Sequence, residues 1–212
     1  MYNIEVEGDH CYRVGQQGLL VHNASIPTKA PPAGMDYMCG SLSGSGSLDR
    51  DKPTALNSNI KGGVPAGYEG HHLIGVVEAQ NSQIMVWAAK LGYDINRQNN
   101  GAAYPSYGNT TFPTLMDGQK EACSKKLPLH RGRHADARYT FCVKKYLTAL
   151  EADYRAGVVT DCDLCAEIKK IENKIRKALK AHKIWLNSKD PWTTAAGLSC
   201  SPATDKTPNC PP

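Results

Sequence analysis

No run of about 18 apolar residues occurs in this chain of 212 residues, so no membrane-spanning helix is expected. The opening, Met1 to His10, lacks the basic and apolar regions of a secretory signal, so export would need another segment or a dedicated machine. Aromatic residues are scarce at 7%, whereas Gly (19) and Pro (13) are plentiful, so one ordinary core is expected with part of the length unpacked. HExxH is missing, which removes the common zinc-protease signature, and so is the GxSxG nucleophile elbow. No internal repeat is present. The 8 cysteines do not form the tight framework of a small disulfide scaffold. Cys162 and Cys165 make a lone CxxC, open to three readings: a local disulfide, thiols beside a helix start, or half of a zinc site needing two further ligands.

The formal net charge of +5 says less than its distribution. Between Ser124 and Trp185 there are 15 Lys and Arg against 7 Asp and Glu, an excess of 8. Such a concentration attracts phosphate backbones, although a solvated lysine-rich helix face has the same composition.

Four stretches differ in character. Residues 1–23 read as short strands with tight turns. Residues 24–65, with PTKAPPAG and GSLSGSGSLDRDKP, have the composition of a flexible linker, so a unit beginning near Ala66 is expected to fold alone. Residues 66–187 carry the periodic sequence, and residues 188–212 read as a disordered tail. Within the third stretch, His71 to Val77 suits a strand. Ala79 to Leu91 suits a helix, with Ile84, Val86, Trp87 and Leu91 on one stripe. Asn96 to Pro105 reads as loop, with a turn at Asn100-Gly101. A helix from about Arg133 to Tyr154 would bury Tyr139, Cys142, Val143, Tyr146, Leu147 and Leu150. A basic helix from about Asp163 to Leu186 would bury Leu164, Ile168, Ile171, Ile175, Leu179 and His182.

Four of the 7 histidines fall in two pairs. His130 and His134, four apart at a helix start, point the same way and can converge on one ion; imidazole suits Zn, Ni and Cu. His71 and His72 are adjacent in an extended segment and therefore face opposite sides. One can bind metal while the other addresses a different atom, such as a water.

The order GHHLI, NNGAAYP, LHRGRHADARY resembles the AHH group of nucleases in the HNH/endonuclease VII superfamily, which recur as carboxy-terminal toxins of bacterial polymorphic toxin systems. The resemblance runs from about Tyr68 to Leu150. Gly70 stands where the family name implies Ala, and Gly75 where many HNH proteins carry Pro. The resemblance implies an α+β fold: a ββα-metal (HNH-like) core, a hairpin and a helix around one divalent ion, with additional helices. By position, His72 would be the general base, drawing a proton from water; an imidazole with its ordinary pKa near 6.5 suits that work. His71, His130 and His134 would hold the metal, with Zn, Mg, Mn and Ni not distinguished. Asn100 would orient the base or brace the loop. Arg131 and Arg133, flanking the ligands, could grip phosphate oxygens.

EVEGDHCYRVGQQGLLVHN resembles the closing segment of a Hint-type pretoxin domain, over about Tyr2 to Asn23. In that family the terminal Asn cyclises on its own carbonyl with help from the preceding His. Asn23 and His22 would take those parts, and Ala24 would begin the released toxin. The reading that follows is a metal-dependent endonuclease toxin cutting DNA, or RNA, delivered into target cells by a bacterial secretion system and acting in their cytoplasm. A cognate immunity protein would be its partner. The rival is a non-catalytic metal or nucleic-acid binding module using the same histidines. His72 discriminates between them, since hydrolysis needs a base and a structural site does not.

Overall fold

A computed structural model describes residues 12–14, 19–21, 46–50, 56–130, 137–184 and 186. Strands β1 (Tyr12–Val14) and β2 (Leu19–Val21) form an antiparallel pair with Tyr12 opposite Val21. These are the short strands expected near the amino terminus; His22 and Asn23 lie outside the described residues. The expected tail, 188–212, also lies outside them.

Of the stretch expected as linker, 24–65, the structure describes residues 46–50 and 56–65. Helix α1 (Leu56–Asn59) forms inside it, and Leu56 and the following Ile60 are buried. Upstream, Ser47 bridges to Asp94 in parallel fashion, and the Ile95 amide donates to the Ser47 carbonyl at 2.7 Å. Gly46 makes this approach feasible. A Cβ there would lie 1.9 Å from the Tyr93 carbonyl oxygen, so a side chain would force two backbones apart. Composition alone marks this stretch as loose, whereas Leu56 and Ile60 find partners only in the folded protein.

Strand β3 (Tyr68–His72) pairs antiparallel with β4 (Gly101–Pro105), with His71 opposite Ala102 and His72 opposite Gly101. Two expectations change here. The strand ends at His72 instead of running to Val77, because the chain bends and helix α2 (Val76–Gln80) begins. The segment expected as loop is β4, entered from a 3-10 turn at Gln98–Asn100. Asn100-Gly101 is therefore the junction into a strand and not a hairpin turn. Gly101 lies in extended backbone and leaves room for Ile60, whose Cγ1 would be 2.8 Å from a Cβ there.

The connection from β3 to β4 holds α2 and α3 (Gln83–Lys90), so one expected helix is two, broken at Asn81 and Ser82. Asn81 donates its side-chain amide back to the Val77 carbonyl at 2.8 Å, a local bond that competes with continuing the helix. Ile84, Trp87 and Leu91 are buried as expected, while Val86 is exposed. Helix α4 (Leu115–Lys125) has no counterpart among the expected elements. Its start carries a capping box in which Thr114 Oγ1 accepts from the Asp117 amide and the Asp117 carboxylate accepts from the Thr114 amide.

Helices α5 (Ala137–Arg155) and α6 (Asp161–Lys180) complete the unit. All six apolar positions expected on α5, Tyr139 to Leu150, are buried, as are the five expected aliphatic positions of α6. His182 departs from that face. It lies beyond the helix in the left-handed conformation, φ +54°, half-buried. A buried Asp161 accepts from Trp87 Nε1 at 2.7 Å and from the Tyr154 hydroxyl at 2.6 Å, joining α3, α5 and α6. The result is an α+β fold in which helices surround a two-stranded antiparallel pair. Cys123, Cys142, Cys162 and Cys165 are all disulfide-bonded, so the CxxC offers no thiolates to zinc. None of the described helices is long and apolar enough to cross a membrane.

Candidate active site

Alternation along β3 divides the site into two faces. Glu69 and His71 share one face with Tyr104 and Ala102, their cross-strand partners. Gly70 and His72 lie on the other, toward α1. Gly70 has a packing reason: a Cβ would lie 2.0 Å from Asn57 Oδ1 and 3.3 Å from Ile60. An Ala here would require the flexible Asn57 side chain to turn away.

On the first face, His71 is buried among aromatic rings. Its ring centroid lies 5.3 Å from that of His130, 5.7 Å from Tyr104 and 5.1 Å from Tyr139. His130 reaches this position because its backbone amide donates to the Pro105 carbonyl at the end of β4, at 2.7 Å. The ring Nδ1 of His130 lies 2.8 Å from Glu69 Oε2, and the other Glu69 oxygen accepts from the buried Ser106 hydroxyl at 2.8 Å. A carboxylate on Nδ1 leaves Nε2 as the ligating nitrogen of that imidazole, the arrangement that orients metal-bound histidines. Sequence reasoning misses Glu69 and Ser106. Glu69 has a signal, since a strand places residues two apart on one face; Ser106 has none until β4 is known.

On the second face, His72 Nε2 lies 3.0 Å from Asn96 Oδ1. The Asn96 amide nitrogen donates to the Asp49 carbonyl at 2.8 Å, which fixes the oxygen toward His72 and makes Nε2 the protonated nitrogen. The lone pair then resides on Nδ1. Burial is the largest influence on this imidazole and lowers its pKa below the ordinary histidine value. The bond to Asn96 works against that shift, while the positive charge of Arg50 adds to it and Asp94 opposes it. Asn96 lies 24 residues from His72, so no local pattern points to it.

Asn100 is fully buried and spends its amide on backbone. Oδ1 accepts from the Ile74 amide at 2.7 Å, and Nδ2 donates to the carbonyls of Ile95 (2.8 Å) and Ile74 (3.2 Å). It ties the chain leaving His72 to the segment bearing Asn96. The Tyr139 hydroxyl of α5 holds the same strand end, within 2.7 Å of the His72 carbonyl and 2.8 Å of that of Leu73. Burial pushes its pKa well above the usual tyrosine value, so it stays a donor.

Thus His71 and His130 meet on one face of β3, His72 lies on the other and Asn100 braces the strand end, whereas Arg131, Arg133 and His134 lie outside the described residues. Among the described residues no group of three or more His, Cys, Asp or Glu side chains is placed to hold a metal ion.

Histidines thus lie on the two faces of one strand, with a third beside them and a buried Asn bracing the connecting loop. The chain belongs to the AHH family, a nuclease family of the HNH/ENDO VII superfamily with conserved AHH, whose model matches residues 56–175. Gly70 stands in the Ala position of that motif. Its substrate is therefore a nucleic acid, and the reaction is hydrolysis of that substrate. Comparison with curated proteins and with solved structures gave no match.

Proposed function

We propose that the protein is a metal-dependent endonuclease acting on DNA, with His72 as general base. The observation that carries this reading is the state of His72: its Nε2–H is committed to Asn96, so Nδ1 has the lone pair available to take a proton. A lowered pKa keeps the ring neutral near pH 7, as a base must be. Asn96 holds the ring plane, and Asn100 and Tyr139 hold the strand end beneath it. Asn100 works as a positioning residue in this scheme, because both of its amide atoms are occupied by backbone.

The donors present fit a divalent ion. His71 and His130 are neighbouring imidazoles, Glu69 fixes the Nδ1 side of His130, and His134 is the further ligand the sequence offers. An ion held there would stabilise charge on the phosphate and the leaving oxygen. Arg131 and Arg133 are proposed phosphate contacts, and the excess of 8 positive charges over Ser124 to Trp185 favours a polyanion.

We propose that the protein is a toxin effector of a bacterial polymorphic system, delivered into target cells to act in their cytoplasm, with a cognate immunity protein that protects its producer. Disulfide-bonded cysteines suit passage through an oxidising compartment. The basic stretch predicts an acidic face on the immunity protein and an association that weakens as salt rises. A neutraliser whose binding ignored ionic strength would remove that argument.

The test is incubation of the purified protein with plasmid DNA and with RNA, with and without chelator, beside His72→Ala. Metal-restored nicking by the wild type and none by the variant is expected. Cleavage that persists in chelator would defeat metal dependence, and cleavage confined to RNA would defeat the DNA assignment.

A further inference from the structure

Residues 46–50 lie upstream of the stretch that defines the family, 56–175, yet they are built into the candidate site. The attachment is made at four points. Gly46 packs against the Tyr93 backbone, the Ser47 carbonyl accepts from the Ile95 amide, and the Leu48 carbonyl accepts from Gln80 Nε2 at 3.1 Å. The fourth is the Asp49 carbonyl on Asn96 Nδ2, one side chain removed from His72. Arg50 follows immediately.

Arg50 is exposed, and no hydrogen bond or ion pair neutralises it among the described residues. It follows Asp49, whose carbonyl holds the Asn96 amide that binds His72. The carboxylate of Asp94 spends Oδ1 on the Asn96 backbone amide at 2.8 Å. An exposed guanidinium at this point of the chain suits an arriving anion, and a phosphodiester offers paired oxygens to its forked donors.

Resting on the nuclease reading above, we propose that residues 46–50 form a strap that completes the active site, and that Arg50 contacts a phosphate of the bound nucleic acid next to His72. The strap thereby has two parts to play: Asp49 sets the Asn96 amide, and Arg50 supplies a cation that the family-defining stretch does not contain at this position.

The experiment uses the full chain and a fluorophore-labelled duplex oligonucleotide. Anisotropy in chelator gives Kd between about 50 and 200 mM salt, and plasmid cleavage is timed separately with Mg, Mn, Ni or Zn salts supplied in turn. Arg50→Ala is expected to lower the slope of log Kd against log salt by about 1. Its kcat/KM is expected to fall by about tenfold or more, with an unchanged Tm because the side chain is exposed. Arg50→Lys should keep the salt slope and recover only part of the cleavage rate, since it keeps the charge and loses the fork. If the wild type cuts and Arg50→Ala binds and cuts equally well, this proposal fails alone. It fails in the same way if Arg50→Ala lowers Tm without moving the salt slope. If the wild type neither binds nor cuts, the nuclease reading fails and takes the proposal with it.

Discussion

At the scale of single residues, the adjacent histidines have opposite environments, and their substitutions should separate accordingly. His72→Ala removes the proposed proton acceptor and leaves Glu69, His71 and His130 in place. Cleavage is expected to fall about 10²–10⁴-fold, while metal affinity by calorimetry stays near the wild-type value. His130→Ala removes a proposed ligand and should weaken metal binding first, with activity partly restored at high metal concentration. Loss of the ion in His72→Ala would reverse the two roles. Asn100→Ala tests a different kind of contribution. It would leave the Ile74 amide and the Ile95 carbonyl buried without their partner, at about 1–3 kcal/mol each. Chemical denaturation should show a loss of about 2–6 kcal/mol, and an unchanged midpoint would show that these bonds do not hold the loop. A stability loss this large distinguishes Asn100 from the exposed Arg50.

At the scale of elements, α6 grips the segment that leads into β4. Glu172, fully buried, accepts from Arg97 Nε at 3.0 Å and Nη2 at 2.9 Å and from the Tyr93 hydroxyl at 3.1 Å. Arg176 donates to the Asn99 carbonyl at 2.6 Å. The helix thus clamps both ends of the segment that carries Asn96 and Asn100. The amino-terminal elements matter in the same way, and a chain beginning at Ala66 should be compared with one beginning at Gly46. The shorter chain loses the buried Leu56 and Ile60 and the strap on Asn96. Burial of two aliphatic side chains is worth about 3 kcal/mol or more, so its Tm should lie roughly 5 °C or more lower. Equal melting of the two chains would show that residues 46–65 add nothing to the stability of the unit that begins at Ala66. Legibility at this scale follows periodicity: α5 and α6 are readable because their apolar residues recur for several turns. β4, five residues of GAAYP, has too little side-chain pattern to announce a strand, and only its partner β3 makes it one.

At the scale of the whole molecule, stability should depend on pH through histidines buried in their neutral form. Burial lowers the pKa of His182 below its ordinary 6.5, as it does for His72. Below pH 6.5 the unfolded chain therefore binds protons that the folded chain refuses, so stability complete above that pH is lost as pH falls toward and through the folded value. In chelator, Tm should drop between about pH 7.5 and 5.5. His182→Asn should reduce the drop, since Asn tolerates the left-handed backbone and does not titrate. A variant melting profile parallel to the wild type over that range would show that His182 contributes nothing to the effect.

The sequence by itself determined the family and the long helices, because motif order and helical period are local properties that survive in a string of letters. The opposite faces of His71 and His72 were also legible, since alternation follows from an extended backbone alone. Only the tertiary structure decided that Glu69 fixes His130, that Asn96 fixes His72, and that residues 46–50 belong to the site. Those relations join positions 61, 24 and 47 residues apart. No propensity encodes such pairs, because each bond exists only after packing has brought its two ends together.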